Sequence, residues 1–353
     1  MDRISKRTKS LALSLVISAL LITLLTSCSK TMGSENTVIF HTYDDEYTRA
    51  VKDEVEKSVK DSNLNYCVKD GAGLDNTVLA EVDTAIMAKT KLLTVNLSDK
   101  NGDELAKKVI EKAKNADIPL ILFGGSVSNS VLSSYDKCIH VTNDFEAAGR
   151  MQGRLIGNYL VDNYDKIDLN KDGKIGYVLI RDMNGSSENE AAMLCSISEC
   201  NAILEQNGFP PLSFYDDKNN SALLSADLGK TNAKDMMKDI LATFNMRNNN
   251  MVELAIGESD AIALGLVSAL GDIGFNRNGE KGIPVFGIGA SNDAMTSIEN
   301  GMMTGTVKIS GKEMADTLLK ISNNILGGKS ALDGINKDLT RGAQKVCISP
   351  TEA

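Results

Sequence analysis

The chain has 353 residues, of which 42% are apolar and 24% are charged, a composition typical of a folded protein long enough for two domains. This composition excludes disordered, collagen-like and coiled-coil proteins. Acidic residues outnumber basic ones by 47 to 38, and the net charge of −9 argues against nucleic acid as a partner.

The first thirty residues have the three parts of an export signal. A basic segment ends at Lys9, an apolar run extends from Leu11 to Leu25, and small residues precede Cys28. The apolar run is shorter than the roughly 20 residues needed to cross a bilayer, so a signal peptide is favoured over a membrane anchor. The sequence before Cys28 resembles the bacterial lipobox. We therefore expect cleavage after residue 27, a lipid on the Cys28 thiol, and a polar tether over residues 28–36.

From residue 37 onward, short β-rich segments alternate with longer segments of helical period. The predicted strands are Val38–Tyr43, Asn65–Lys69, Leu92–Leu97, Ile118–Phe123, Cys138–Thr142, Gly176–Arg181, Leu212–Tyr215, Val252–Gly257, Ile283–Ile288 and Thr304–Ile309. The predicted helices are Tyr47–Ser62, Thr77–Lys89, Asp103–Ala116, Phe145–Tyr164, Glu188–Asn207, Asn232–Phe244, Ser259–Ile273 and Gly311–Leu326. This alternation indicates βαβ units and buried parallel sheets. We predict an α/β protein with two doubly wound lobes of about five strands each.

Small and polar residues follow the predicted strands, where the ligands of open α/β sheets bind. The segments are Thr42–Tyr47, Gly124–Ser128, Asp182–Glu188, Gly257–Asp260 and Gly289–Asp293. Any one of them alone is most simply a turn between a strand and a helix. Together they predict the rim of a cleft between the lobes.

The most specific motif is the segment DLNKDGK at residues 168–174. Its oxygen-bearing side chains, its glycine and its seventh-position carbonyl have the spacing of an EF-hand calcium loop, at Asp168, Asn170, Asp172, Gly173 and Lys174. The twelfth position is Leu179 within a predicted strand, so an EF-hand is excluded and the last carboxylate must come from elsewhere. Glu253, at the start of an otherwise apolar strand, is the candidate. The alternative is a polar turn that binds no metal.

The chain resembles periplasmic binding proteins of the galactose/glucose-binding type over nearly all of residues 38–346. The segments that carry the resemblance are Tyr43–Asp45, Asp117–Pro119, Ser134–Lys137, Met151–Gly153, Asp168–Ile175, Asp260–Ala261, Ile283–Gly287 and Gly305–Val307. The resemblance implies a structural calcium held by Asp168, Asn170, Asp172, the Lys174 carbonyl and Glu253. One departure is Gly176, where the family has a further glutamine ligand.

The resemblance also implies two lobes joined by a three-segment hinge, with crossings near residues 143–145, 308–310 and 344–346. The signal peptide then occupies residues 1–27. The N-lobe comprises residues 37–144 and 309–345, and the C-lobe comprises residues 145–308 and 346–353.

The implied ligand pocket departs from the pattern of this family at most positions. The positions that correspond to its ligand contacts are Asp45, Tyr47, Gly124, Glu188, Ser259 and Gly289. Only Asp45 is unchanged, while Tyr47 and Glu188 are conservative. The histidine and arginine of the family correspond to Ser186 and Ala192, and its C-lobe tryptophan to Leu228. We expect a small polar ligand, a sugar, but no tight binding of galactose or glucose.

The resemblance implies a lipid-anchored solute-binding protein that delivers a sugar to the permease of an ABC importer. It would lie at the outer face of the cytoplasmic membrane, or in the periplasm, as a monomer. The alternative is a sensor that presents a nucleoside or signalling molecule to a chemoreceptor or sensor kinase. An enzyme is not expected, because the two histidines, His41 and His140, fall inside predicted strands. The five cysteines after Cys28 are expected to be mainly small buried residues.

Overall fold

The computed structural model describes residues 35–61, 65–98, 102–182, 187–216, 224–226, 230–248, 250–277, 282–335, 338–339 and 344–353. Within these ranges the chain forms two seven-stranded sheets with helices packed on their faces. The predicted two-lobed α/β fold is confirmed, although each sheet has more strands than the five expected. We call the first sheet with its helices the N-lobe and the second the C-lobe.

All ten predicted strands and all eight predicted helices are present, with ends shifted by a few residues. The strands are β1 Asn36–Phe40, β2 Tyr66–Asp70, β3 Leu92–Asn96, β4 Leu120–Phe123, β5 Cys138–Asn143, β6 Gly176–Asp182, β7 Ser213–Phe214, β8 Leu224–Ala226, β9 Leu254–Gly257, β10 Val285–Gly289, β11 Gly305–Lys308, β12 Asp338–Leu339, β13 Lys345–Ile348 and β14 Thr351–Glu352. The helices are α1 Glu46–Asp61, α2 Asp75–Met87, α3 Gly102–Asn115, α4 Asn129–Leu132, α5 Phe145–Ile167, α6 Ser187–Gln206, α7 Lys230–Thr243, α8 Asp260–Asp272, α9 Asn292–Glu299 and α10 Gly311–Leu326, with a 3₁₀ turn at Met246–Asn248. The sequence did not predict β8, β12, β13, β14, α4 or α9.

The N-lobe sheet has the order β12-β13-β5-β4-β3-β1-β2, and its pairs are parallel except β12 with β13. Successive residues of a strand point to opposite faces, so Ile39 belongs to one apolar cluster and Phe40 to the other. Both faces are covered, and β4 is therefore buried at every residue.

The C-lobe sheet has the order β14-β11-β10-β9-β6-β7, with β8 also paired to β6. Its pairs are parallel except β11 with β14. Alternate residues of β6 again separate, with Val178 in one apolar cluster and Leu179 in the other. The parallel strands of both lobes end at one edge of their sheet, which is where the sequence predicts the ligand cleft.

The chain passes between the two sheets at three places. It leaves the N-lobe after β5 and returns to it after β11. The third crossing was expected at residues 344–346, but β13 pairs with β5 in the N-lobe sheet through Ile348. Only β14 joins the C-lobe sheet, so the crossing lies at residues 349–350 and residues 346–348 belong to the N-lobe. The short β13 was not predicted as a strand, which explains the misplaced boundary.

The cysteines only partly follow the expectation of buried, unbonded residues. Cys138, Cys195, Cys200 and Cys347 are free thiols, and burial raises the pKa of Cys138 and of Cys200 to about 12. Cys67 is also buried but is disulfide-bonded, so the expectation is wrong at this position.

Candidate functional site

Four loops that follow parallel strands carry most of the expected ligand positions. Asp45 and Tyr47 follow β1, Gly124 follows β4, Ser259 follows β9, and Gly289 ends β10. The structure thus places them at the cleft-side edges of the two sheets. The side chains of Asp45, Tyr47 and Ser259, however, are hydrogen-bonded to the protein itself.

The first of these loops leads into α1. The Asp45 carboxylate is exposed, and its Oδ1 accepts a hydrogen bond of 2.7 Å from the backbone N–H of Thr48, which caps the helix. Tyr47 lies partly buried against the core, and its hydroxyl is 3.0–3.1 Å from the side-chain amide of Asn143 beside the first crossing. Burial raises the pKa of Tyr47, whereas the Asn143 hydrogen bond lowers it. Tyr47 therefore contacts the hinge as well as the rim.

Gly124 leaves no space for a side chain at the end of β4. Its φ is +66°, and a Cβ on it would lie 2.9 Å from Nδ2 of Asn96. The Asn96 amide is buried, donating to the Phe123 carbonyl and accepting from the His41 backbone N–H. Asn96 was not predicted to belong to the site. Its position at the end of a predicted strand was the only signal for it.

The two histidines lie close to the N-lobe rim and have structural partners. His41 comes just after β1 rather than inside it, and its Nε2 is 3.0 Å from Oδ1 of Asp75. Nε2 of His140 in β5 is 2.8 Å from the Gly124 carbonyl oxygen. These contacts tie adjacent loops together at this edge of the sheet.

On the C-lobe rim, the Ser259 hydroxyl caps α8 by accepting from the Ile262 N–H. The next residue, Asp260, belongs to a predicted rim segment and is 4% exposed. Its Oδ1 accepts 2.6 Å from the Thr306 hydroxyl and its Oδ2 accepts 2.7 Å from the Ser291 N–H. Burial raises the pKa of Asp260, while these two donors lower it and the charge of Glu46 raises it.

Asp260 also explains why residue 289 is a glycine. Gly289 has φ of +148°, and a Cβ there would lie 2.8 Å from the Asp260 Oδ2. An aspartate at this position would bring a second carboxylate against the buried one. This expected ligand position therefore offers only backbone.

The loop after β6 is described in part. Glu188 lies in the first turn of α6, but its side chain, Ser186 and Leu228 lie outside the described residues. Arg181, at the end of β6, has Nη2 3.0 Å from Oε2 of Glu190. Ala192, which stands where the family has its arginine, is 1% exposed and faces the interior.

The two rims face each other where α1 and α9 begin. Oε1 of Glu46, the first residue of α1, accepts a hydrogen bond of 3.1 Å from the backbone N–H of Asn292, the first residue of α9. The two residues are 246 positions apart and belong to different lobes. The loops after β1 and β10 therefore lie on opposite sides of one cleft. Nothing in the sequence indicated this pair.

The loop at residues 168–174 has the backbone of a calcium loop. Lys171 and Gly173 have φ of +60° and +81° at its fourth and sixth positions, and the glycine permits the sharp turn. The Asp168 carboxylate accepts from the N–H groups of Asp172 and Gly173, and Asp172 accepts from the Lys174 N–H. These hydrogen bonds hold the loop in a tight turn, with its N–H groups directed at its own carboxylate oxygen atoms.

Glu253, the residue immediately before β9, lies against this loop, while its role as a calcium ligand stays a prediction. It is 1% exposed, and its carboxylate accepts hydrogen bonds from the backbone N–H groups of Leu169 at 2.6 Å, Asn170 at 3.2 Å and Gly176 at 3.1 Å. Burial raises the pKa of Glu253, and the three N–H groups lower it. The carboxylate thus holds the start of the loop to the start of β6.

The donor set and the loop backbone fit calcium, which prefers oxygen ligands. In the described part of the chain, no three His, Cys, Asp or Glu side chains lie close enough together to hold a metal as they stand. At Gly176 a Cβ would lie 2.2 Å from the Met251 carbonyl oxygen, so the family's glutamine has no room there.

A separate cavity of about 600 Å³ lies behind this loop, at the C-lobe edge opposite the cleft. Its lining includes Tyr159, Leu169, Ile283 and Met302. None of the expected ligand positions lines it, so we do not identify it with the ligand cleft.

The export signal and Cys28 lie outside the described residues. Within the described ranges, no helix has both the length and the apolar character needed to span a membrane.

Two α/β lobes, three crossings and facing strand ends define a protein that can close on a solute. Residues 36–330 match the periplasmic binding protein domain, and the chain belongs to this family. The chain is 28% identical over 318 residues to the D-galactose/methyl-galactoside binding periplasmic protein MglB of Haemophilus influenzae, covering 89% of each chain. It is 24% identical over 266 residues to the multiple sugar-binding periplasmic protein SbpA of Azospirillum brasilense, covering 72% of this chain and 67% of the relative.

Solved structures share the fold at low sequence identity. A solute-binding protein of an ABC transporter from Clostridium phytofermentans, with bound β-D-glucose, has a TM-score of 0.67 at 18% identity and covers 90% of this chain and 93% of its own. The myo-inositol binding protein of Caulobacter, bound to myo-inositol, has a TM-score of 0.66 at 17% identity and covers 93% and 95%. Both similarities support the two-lobed fold.

Proposed function

We propose that this chain is the solute-binding component of an ABC-type importer and that a sugar binds between its lobes. The Glu46–Asn292 contact carries the proposal, because it brings the strand-end loops of the two lobes face to face. The similarity to MglB over most of both chains supports a sugar as the ligand class. The protein would release its ligand to a membrane permease and catalyse no reaction.

We expect the sugar to differ from galactose and glucose. Gly124 and Gly289 present backbone alone, the Tyr47 hydroxyl is engaged by Asn143, and Ala192 offers no cation. A charge-assisted hydrogen bond contributes about 1.5–3 kcal/mol, so losing several such contacts weakens hexose binding by orders of magnitude.

A thermal-shift screen of the mature protein against sugars, nucleosides and amino acids tests the ligand class, since a ligand that binds the native state raises the Tm. We expect stabilisation by at least one sugar or polyol, and titration calorimetry should show no submicromolar binding of galactose or glucose. Stabilisation by a nucleoside or an amino acid alone would contradict a sugar ligand. Submicromolar galactose affinity would contradict the altered pocket.

We also propose that the loop at 168–174 binds a structural calcium ion through Asp168, Asn170, Asp172, the Lys174 carbonyl and Glu253. The ion would neutralise this acidic group and fix the loop against β6. Its contribution is to stability rather than to ligand chemistry.

Removal of calcium should lower the Tm of the mature protein, and calcium added back should restore it. Asp172→Asn should reduce this calcium-dependent shift, because the side chain loses its charge in the loop. Asp162→Asn, at an exposed position of the preceding helix, serves as the matched control. Calcium binding is disproved if the stripped and calcium-loaded proteins melt at the same temperature.

We propose lipid attachment at Cys28 on the evidence of the sequence. In the native host, the full-length chain should partition with membranes and carry the mass of a lipidated N-terminal cysteine. The variant Cys28→Ser should be released into the soluble exported fraction. An unmodified cysteine in the membrane-free fraction would contradict the anchor.

A further inference from the structure

The contact between Glu46 and Asn292 has properties that go beyond marking the cleft. Both residues are exposed, so the hydrogen bond lies at the outer rim rather than deep between the lobes. A ligand bound further inside would not need to displace it. The contact can therefore form when the lobes are close together, with or without a ligand.

The first turn of α9 is well suited to receive a carboxylate. The Ser291 hydroxyl accepts from the Ala294 N–H, and the Ser291 N–H donates to Asp260, so two donors of this turn already have partners. The Asn292 N–H donates to Glu46 instead. A negative charge at a helix N-terminus is further stabilised by the aligned peptide dipoles.

Asp260 makes the same contact easy to break. Its buried carboxylate lies under this turn, and its charge and that of Glu46 repel each other. Closing the rim therefore brings two like charges together, which offsets part of the attraction between Glu46 and the helix. The attraction between Glu46 and the N-terminus of α9 therefore favours closure only moderately, because the repulsion reduces it and because water reaches the contact.

We propose that Glu46 and the N-terminus of α9 form a rim latch that favours the closed arrangement of the lobes before any ligand binds. The latch sets the ratio of closed to open molecules in the unliganded protein. Its action depends on the two-lobed fold and not on which ligand the protein takes.

Small-angle X-ray scattering of the unliganded mature protein tests the latch. We expect Glu46→Ala to lower the closed-to-open ratio by about two- to five-fold, the size expected of an exposed charge at a helix end, and to raise the radius of gyration. Glu46→Gln should fall between, because its amide oxygen keeps the acceptor but loses the charge. Glu56→Gln, which removes a charge paired with Lys52 further along α1, is the matched control and should leave the ratio unchanged.

Hydrogen exchange supplies a second, local measurement. The peptide containing Asn292 should exchange faster in Glu46→Ala than in the wild type, and 0.5 M salt should speed its exchange in the wild type more than in Glu46→Gln. Thermal melting identifies any variant that fails to fold. Equal radii of gyration and equal exchange in wild type and Glu46→Ala would overturn the latch, whatever ligand the screen identifies.

Discussion

Replacing Glu253 by alanine should destabilise the C-lobe strongly even without calcium. The substitution leaves the backbone N–H groups of Leu169, Asn170 and Gly176 without their acceptor in a region that is mostly closed to water. Because each unsatisfied buried donor costs about 1–3 kcal/mol, and water can reach part of the loop, we expect a loss of about 3–4 kcal/mol. For a lobe of this size the loss corresponds to a fall in Tm of about 10 °C.

The measurement is thermal and urea unfolding in EDTA, so that a lost calcium site does not contribute. Glu253→Gln keeps one acceptor oxygen but turns an amide N–H₂ toward a backbone donor, and should lie between wild type and Glu253→Ala. Glu205→Ala, at an exposed position near the end of α6, controls for the loss of a negative charge. A change below about 1 kcal/mol in Glu253→Ala would show that the three hydrogen bonds do not hold the loop in solution.

The role of Glu253 shows which features of this protein the sequence could predict. A carboxylate at the start of an apolar strand required a partner, and the structure provides two N–H groups from the loop at 168–174 and a third from the first residue of β6. The buried strands β4 and β6 were equally readable, since each is an apolar run bounded by turns. For Glu253 and for these two strands, the pattern of neighbouring residues in the sequence was sufficient for the prediction.

Features that depend on distant residues were missed. The strand β13 has four residues and takes its place only by pairing with β5, about 200 positions earlier. The helix α9 begins within a segment that was interpreted only as a loop of the cleft rim, and its first N–H meets a carboxylate from the other lobe. Sequence patterns carry no signal for such pairs.

Several expected ligand positions proved to have structural roles that local chemistry explains. Asp45 and Ser259 each cap a helix, and Gly289 is small because Asp260 lies beside it. Alignment to a family locates such positions but does not show which neighbour a side chain has already bound. Their contribution to ligand binding stays a prediction.

The second large effect concerns the packing of α5 on α6. Gly153→Ala should destabilise the protein, although alanine favours a helix over glycine by about 1 kcal/mol. A Cβ at residue 153 would lie 2.3 Å from the Ser196 carbonyl oxygen and 2.8 Å from the Glu199 Cβ, and neither atom can swing aside. The helices must separate, and overpacking of this kind costs about 1–3 kcal/mol or more.

A matched substitution separates this clash from helix propensity. Gly271→Ala, inside α8, places a Cβ where no atom lies within 4 Å, so it should stabilise the protein by about 0.5–1 kcal/mol. Gly149→Ala, one turn before Gly153, meets the Ala192 carbonyl oxygen at 2.0 Å and should behave like Gly153→Ala. Urea unfolding of the three variants gives the comparison. If Gly153→Ala and Gly271→Ala shift the free energy of unfolding alike, α5 and α6 are not in backbone contact. A loss confined to Gly149→Ala and Gly153→Ala would show that these glycines set the distance between the two helices.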